Sequence, residues 1–387
     1  QPLHRKGTVM LKRVHLENFK ALKGVDLDFA KITVLTGFNS TGKTSVIQSL
    51  AFIKQSLQRK EISYNDYLLR LGDFREVAYG HDASQPVRIE VALDDGPGEM
   101  AYSLETSPEG VEESFSRGGE RAWSWDSRKE GVIEASGRLF FPLAAGGYGG
   151  GTYATDDYAG TLSAQKALLK WFEDALYLSS NRGFTRYNYP LLAGNPSVED
   201  ISNRAGDASA LEEWLSNLIL YRLNEAKRFP EMQKRLDVMA ARLAKLGVEV
   251  SPYVTDGPSV VVDLVEGGMW VSAVNSGYGV NQSVATVVLG SLSEEGALVM
   301  VEEPETHLHP RYQRTMAEIL LGMAQEGKQV LITSHSDHIL QTLADLAERD
   351  GLGEDDVRVY HFEKQGRETQ PTRVGLSDRE TMAKLFA

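Results

Sequence analysis

Ile32-Thr33-Val34-Leu35-Thr36, then Gly37-Phe38-Asn39-Ser40-Thr41-Gly42-Lys43-Thr44, is an apolar run followed by a loop with glycine at both ends. An amphipathic stretch from Thr44 to Leu57 comes next, with Val46, Ile47, Leu50, Ile53 and Leu57 at helical spacing. Strand, loop and helix in this order are the context that the pattern G-x-x-x-x-G-K-[ST] requires. Glycines let the backbone curl so that successive N–H groups point at phosphate oxygens. The helix N-terminus adds its partial positive charge at the same place. Gly37, Asn39, Ser40, Thr41, Gly42, Lys43, Thr44 and Ser45 are therefore the expected nucleotide-binding residues. Lys43 is expected to reach the β- and γ-phosphates of ATP, and the Thr44 hydroxyl to face Mg²⁺.

The bulk properties narrow the class. A chain of 387 residues with 42% hydrophobic content can build a large core, as one composite domain or two ordinary ones. It contains no cysteine, which excludes structural disulfides and cysteine-based zinc sites and points to a reducing, cytoplasmic setting. No apolar run approaches the ~18 residues of a membrane helix. Residues 1–9 carry His4, Arg5 and Lys6 without an apolar segment, and read as a tag or disordered start before Met10. The net charge of −13 argues against a surface coated for DNA, whose affinity comes from Lys and Arg neutralising phosphates. A local basic strip remains in Arg5, Lys6, Lys12, Arg13, Lys20 and Lys23, and reads as a solvated edge.

Alternation predicts strands over 10–19 and 25–29, the apolar run 32–36 reads as a further strand, and turn signals mark antiparallel strands from about Val87 to Ala135. Residues 144–160, rich in Gly, Tyr and Asp, read as a surface loop, since no lysine and no strand-to-helix pattern accompany the glycines. Helices are expected over 164–175, 210–224 and 231–246, too short for a long coiled coil. A hairpin is expected over 260–274, turning at Glu266-Gly267-Gly268. Thereafter strand and helix alternate: strands 297–301, 329–333 and 357–362, helices 311–324 and 337–349. Short apolar strands between helices predict a buried, mainly parallel sheet.

Leu298-Val299-Met300-Val301-Glu302-Glu303 is an apolar strand ending in two carboxylates. Phosphoanhydride hydrolysis needs one carboxylate to hold Mg²⁺ and another to orient or deprotonate water. Glu302 suits the metal and Glu303 the base. His307 and His309, two apart beside glutamates, raise the idea of a transition-metal site but lack a third well-spaced nitrogen ligand. His335, in Thr333-Ser334-His335-Ser336 after another apolar strand, is a candidate γ-phosphate sensor, with Ser336 or Asp337 capping the next helix.

In its order of elements the chain resembles an ATP-binding-cassette-type ATPase of the RecF/SMC/OLD group. More narrowly, it resembles the stand-alone prokaryotic ATPases with an "EEPExHLHP" motif, such as the ATPase subunits of Septu-type anti-phage defence systems. Leu11–Lys20 matches the opening "L-x-x-x-x-L-x-N-F-K", and Leu71-Gly72-Asp73-Phe74-Arg75-Glu76-Val77 resembles "L-G-S-F-x-D-[LV]". Tyr177-Leu178-Ser179-Ser180-Asn181-Arg182 through Arg186-Tyr187 resembles "Y-L-x-P-x-R…R-x-Y". Ser276-Gly277-Tyr278-Gly279-Val280-Asn281-Gln282 resembles "x-G-x-G-x-x-Q", the counterpart of the cassette signature. Phe38 stands where the family usually has proline, and the signature is not the transporter-type L-S-G-G-Q.

The resemblance implies an α/β P-loop ABC-type ATPase head with an antiparallel β lobe and an inserted short helical region. Its expected parts are 10–178 with the phosphate loop and lobe, 179–258 as the insertion, and 259–387 with the signature, the paired carboxylates and a switch histidine, His335. It also implies a homodimer in which Gly277, Gly279 and Gln282 approach the nucleotide bound to the second subunit, at the start of a helix over 282–289. ATP-driven dimerisation would control a partner effector, a nuclease, with nucleic acid met through that complex and no membrane involved. Alternatives are a RecF-like ATPase acting directly on DNA and a slow-turnover nucleotide-sensing scaffold. A nuclease within the chain is not expected, because each acidic cluster placed near a strand end already serves the ATPase role.

Overall fold

The computed structural model describes residues 9–96, 98–128, 133–135, 158–204 and 206–376. The expected unstructured start and most of the 144–160 loop lie outside the described residues. The chain divides into two compact units, Gln1–Glu173 with Arg358–Val374, and Asp174–Val357 with Gly375–Ala387.

The first unit opens with β1 (Met10–Phe19), β2 (Leu22–Asp28), β3 (Ile32–Gly37) and α1 (Lys43–Arg59). β1 pairs antiparallel with β2, setting Leu16 opposite Val25. Helix α2 (Phe74–Val77) follows, capped by the Asp73 carboxylate. β4 (Val87–Asp94), β5 (Glu99–Ser107), β6 (Gly110–Arg117), β7 (Glu120–Asp126) and β8 (Ile133–Ala135) extend the β2-β1 pair into one antiparallel sheet in chain order. β5 alternates buried and half-buried residues, the two-residue period of a sheet with one face on a core. The buried Tyr102 hydroxyl donates to Glu113 across the β5–β6 pair, which satisfies a polar group that water cannot reach. β3 is buried along its whole length, and the predicted face of α1, Val46, Ile47, Leu50, Ile53 and Leu57, is buried as well. Helix α3 (Tyr158–Asp174) ends this stretch.

The second unit holds two separate sets of paired strands. β9 (Leu176–Leu178), β14 (Leu298–Glu302) and β15 (Gln329–Thr333) run parallel, with β14 in the middle. The intervening chain forms β10 (Tyr189–Pro190), α4 (Val198–Ser202), α5 (Ala208–Ala226), α6 (Pro230–Lys245), β11 (Val248–Val254), β12 (Ser259–Glu266), β13 (Met269–Ser272) and α7 (Tyr278–Leu292). β12 pairs antiparallel with β10, β11 and β13, so the expected 260–274 hairpin belongs to a small sheet of its own. Helix α8 (Pro310–Gln325) starts with proline at its first position, where no intrahelical N–H is needed. Helix α9 (Asp337–Asp350) is capped by Ser336 Oγ, which accepts from Ile339 N at 3.1 Å. The chain then returns to the first unit as β16 (Val357–Gln365) and β17 (Glu368–Val374), an antiparallel pair with β16 beside β3. The expectation of a mainly parallel sheet thus holds for β9, β14 and β15 and gives way at β16–β17. There Gly366, at φ 67, turns the chain back into a hairpin that its polar composition did not advertise.

Candidate active site

The phosphate loop joins β3 to α1 as the sequence predicts. Gly37 has φ 133, and a Cβ built on it would stand 2.2 Å from the carbonyl oxygen of Phe362. Only glycine fits this left-handed position against the neighbouring strand. Gly42, also left-handed, caps α1 and offers no side chain to the first-turn amides. By helix geometry the Thr44 N–H faces out from the helix start, where an anion can accept it, while Ser45 N–H donates back to the Gly42 carbonyl at 3.0 Å. Thr41 Oγ1 donates to the Phe38 carbonyl at 2.8 Å and tightens the loop. The buried Lys43 ammonium donates to the carbonyls of Gly37 at 2.9 Å and Phe38 at 2.7 Å. Asn39 and Ser40 are exposed and Thr44 is half-buried. The phenyl ring of Phe38 is 72% exposed. A loop of this curvature, with a lysine folded over it and a hydroxyl at the helix start, fits a Mg²⁺-bound polyphosphate.

In the second unit the end of β14 carries the two carboxylates. Glu302 is mostly buried, and Tyr177 on the adjacent β9 donates its hydroxyl to Glu302 Oε1 at 2.9 Å. Burial pushes the Glu302 carboxyl above its usual range. Tyr177 draws it back, the Glu303 charge adds to the rise, and Arg182 opposes it. A carboxylate so placed gains from a nearby cation, which suits the metal-holding role expected for it.

Glu303 has φ 43, left-handed and uncommon for a residue with a long side chain. Its N–H donates to the Thr333 carbonyl at 3.0 Å, and its carbonyl accepts from Thr306 N at 3.0 Å and Thr306 Oγ1 at 2.8 Å. The turn departs from the two-residue alternation of β14, so the Glu303 side chain is not bound to the face opposite Glu302. It is 41% exposed, and its Oε1 lies 3.7 Å from His335 Nε2. Glu305 is buried and accepts from Ser334 Oγ at 2.9 Å and His335 N at 2.6 Å, which fixes the loop that presents His335. Burial pushes the Glu305 carboxyl up, and these two hydrogen bonds pull it back. Among the described residues no group of three or more His, Asp or Glu is arranged to hold a metal ion by itself. His307 ring-stacks edge-on with Tyr278 at 4.7 Å between centroids.

The signature turn differs from expectation in its boundary. α7 begins at Tyr278 with Gly277 as its cap, a turn earlier than the expected start at Gln282. Gly277 is exposed, whereas Gly279 and Gln282 are buried. A Cβ on Gly279 would meet the His307 carbonyl at 2.4 Å, so the glycine allows close packing of α7 on the 303–308 loop. Gln282 Oε1 accepts from Arg182 N at 2.7 Å. The Gln282 side chain is buried within the unit, and the exposed backbone around Gly277 is the outward-facing part of this turn.

The two units thus hold the expected residues in two sets: Gly37 to Ser45 in the first, and Gly277, Gly279, Gln282, Glu302, Glu303 and His335 in the second. Sequence assigns no role to Tyr177 or Arg182, and reads Glu305 only as part of an acidic cluster with Glu302 and Glu303 that serves the ATPase. Each stands beside a motif residue, but its partner lies far along the chain. The nearest signal was their place within the 177–187 and 302–310 blocks.

A profile of the AAA ATPase domain matches residues 10–114 and 199–340, well over half of the chain, and the chain belongs to that family. No curated protein matches it. Among solved structures it is similar to an SMC head bound to the C-terminal winged-helix domain of ScpA, with TM-score 0.54 and 12% identity over 95% of this chain and 98% of that one. It is also similar to an SMC head with an extended coiled coil, bound to the C-terminal domain of ScpA derived from Pyrococcus furiosus. That match has TM-score 0.51 and 11% identity over 97% of this chain and 99% of that one. The chain therefore has a mixed α/β fold like the ABC-type ATPase head of SMC proteins, with an antiparallel β lobe. Among the described residues no helix is long and apolar enough to cross a membrane.

Proposed function

We propose that the chain is a Mg²⁺-dependent ATP hydrolase whose two motif sets serve one nucleotide. Lys43 and the amides of residues 39–45 bind the phosphates, Thr44 and Glu302 hold Mg²⁺, and Glu303 takes the proton of the attacking water. Mg²⁺ supplies neutralisation of charge on the phosphate oxygens. His335, beside Glu303, orients the γ-phosphate side of the site. The observation that carries the reading is Glu303, a half-exposed carboxylate fixed by its backbone at the end of a buried strand, 3.7 Å from a histidine. A general base needs this combination of a set position and access to water.

The working unit in this reading is a homodimer. One copy's phosphate loop and carboxylates lack the backbone donors at Gly277, which the second copy supplies. Binding of ATP then joins the two copies and hydrolysis releases them. The similar SMC heads are bound to domains of ScpA, which supports a partner protein here as well. We assign the partner as an effector nuclease of an anti-phage system, from the resemblance of the Glu302–Pro310 block.

Mixing Lys43→Ala with Gly277→Asp subunits tests the shared site. Gly277 has nothing within 4 Å of a built Cβ, so the substitution leaves its own subunit intact. Each variant alone is expected to be inactive. In a two-fold dimer an equimolar mixture is expected to recover about a quarter of wild-type turnover. Mixed dimers without recovered turnover, or steady hydrolysis by a monomer in light scattering, would overturn the proposal.

A further inference from the structure

Arg182 is the fully buried charged group nearest the carboxylate turn. It sits after β9 in the segment 179–184, and this segment is tied at several points. Arg182 N donates to Gln282 Oε1 at 2.7 Å, Phe184 N donates to Asn281 Oδ1 at 2.7 Å, and Asn281 Nδ2 donates back to the Phe184 carbonyl at 2.8 Å. Asn281 and Gln282 both belong to the first turns of α7. The guanidinium leaves this anchored backbone and donates Nη1 to the carbonyls of Ser179 and Glu302, both at 2.7 Å, and Nη2 to the carbonyl of Glu303 at 3.1 Å.

Two physical points give these contacts weight. A buried guanidinium is costly, and burial pulls Arg182 down to about 10 against the charges of Glu305, Glu302 and Glu303. Apolar filler of the same size would serve stability as well, so its hydrogen-bond pattern is what the site uses. The second point is Glu303 itself. A left-handed glutamate persists only where its surroundings over-determine it. Thr306 and Arg182 hold its carbonyl while Thr333 holds its N–H. Arg182 also holds the preceding carbonyl, so it grips the peptide unit on both sides of the residue whose conformation departs from the strand.

We infer that Arg182 is a positioning residue for hydrolysis: its forked guanidinium clamps the Glu302 and Glu303 carbonyls and so sets the Glu303 carboxylate, while its own backbone is set by Gln282 of the signature helix. Arg182 touches no nucleotide and acts through Glu303. The same contacts make a short covalent and hydrogen-bonded link from the signature turn to the carboxylate turn. The inference rests on the reading of Glu303 as the base.

The test is a double-mutant cycle on kcat with ATP affinity measured alongside. Arg182→Lys keeps the charge but loses the fork. It is expected to leave ATP affinity within about twofold and to lower kcat about tenfold or more, with KM unchanged. In a Glu303→Gln background, Arg182→Lys is expected to lower kcat by less than about twofold more, because both act through one carboxylate. A merely structural role predicts losses that multiply, and multiplying losses would overturn the inference. So would Arg182→Lys turning over at the wild-type rate. If Glu303→Gln alone leaves kcat unchanged, the reading of Glu303 as base fails, and the inference falls with it. Thr306→Val, which removes one hydroxyl donor from the same carbonyl, covers the case in which Arg182→Lys does not fold. It is expected to lower kcat a few-fold, with the same non-additivity toward Glu303→Gln, and additivity there overturns the inference equally.

Discussion

The imidazole Nε2 of His335 lies 3.7 Å from Oε1 of Glu303, although the two residues lie just past the ends of different parallel strands. Thr333, the last residue of β15, receives the Glu303 N–H, and Glu305 receives the His335 N–H. The distance is therefore set by two backbone N–H groups, one donating to the Thr333 carbonyl and one to the Glu305 carboxylate. If Glu303 is the base, Glu303→Gln keeps ATP binding and slows hydrolysis about a hundredfold or more, read in single-turnover assays. Glu302→Gln is expected to weaken the dependence on Mg²⁺ instead. Active Glu303→Gln with inactive Glu302→Gln would mean that the two roles are exchanged.

At the phosphate loop, Lys43→Ala is expected to abolish detectable ATP binding in calorimetric titration. Gly37→Ala tests the loop's shape separately. Its Cβ would collide with the Phe362 carbonyl at a φ that alanine rarely adopts. The expected cost is about 2–4 kcal/mol in chemical denaturation, with loss of ATP binding. A Gly37→Ala protein of wild-type stability would show that the loop and β16 do not pack as described.

Glu305 separates hydrogen bonding from charge. Both of its donors, Ser334 Oγ and His335 N, meet Oε1, while Oε2 is buried without a hydrogen bond. A carboxamide oxygen can replace Oε1. Glu305→Gln is therefore expected to keep most of the stability, whereas Glu305→Ala leaves buried donors unmet and costs about 1–3 kcal/mol. Equal losses in urea denaturation would show that the charge, and not the acceptor, matters here.

His15 gives a pH signature remote from the candidate site. Burial pulls its imidazole down, but hydrogen bonds and charge from Glu17 and Asp26 outweigh this and leave it above its ordinary 6.5. Its Nε2 lies 3.1 Å from Glu17 and its Nδ1 2.9 Å from Asp26, with Arg88 also reaching Glu17. A raised folded value means stability that is fully present below the unfolded value and lost as pH rises through the folded one. Solvent screening of these carboxylates limits the effect to a few tenths of a kcal/mol. Unfolding free energies of wild type and His15→Gln are expected to converge above that range and in high salt. A constant difference across pH would exclude His15 as the titrating group.

Local patterns in the sequence were enough for the strand, glycine loop and helix of 32–57, the face of α1, the antiparallel lobe and the alternation of strands and helices from 297 to 362, but not for the hairpin that follows. Each of these rests on period, glycine placement or capping, all carried by neighbouring residues. Tertiary structure decided what depends on partners far along the chain. Gly37 must be glycine because of Phe362, and α7 begins at Tyr278 because Gly279 packs against His307 and Gln282 holds Arg182. The left-handed Glu303 depends on Arg182, Thr306 and Thr333 together, and a sequence read alone names the glutamate without revealing what fixes its backbone. A motif is legible in the chain because short spacing defines it. Contacts such as those of Arg182 with the Glu302 and Glu303 carbonyls are set by packing between distant segments, and they leave no period in the chain.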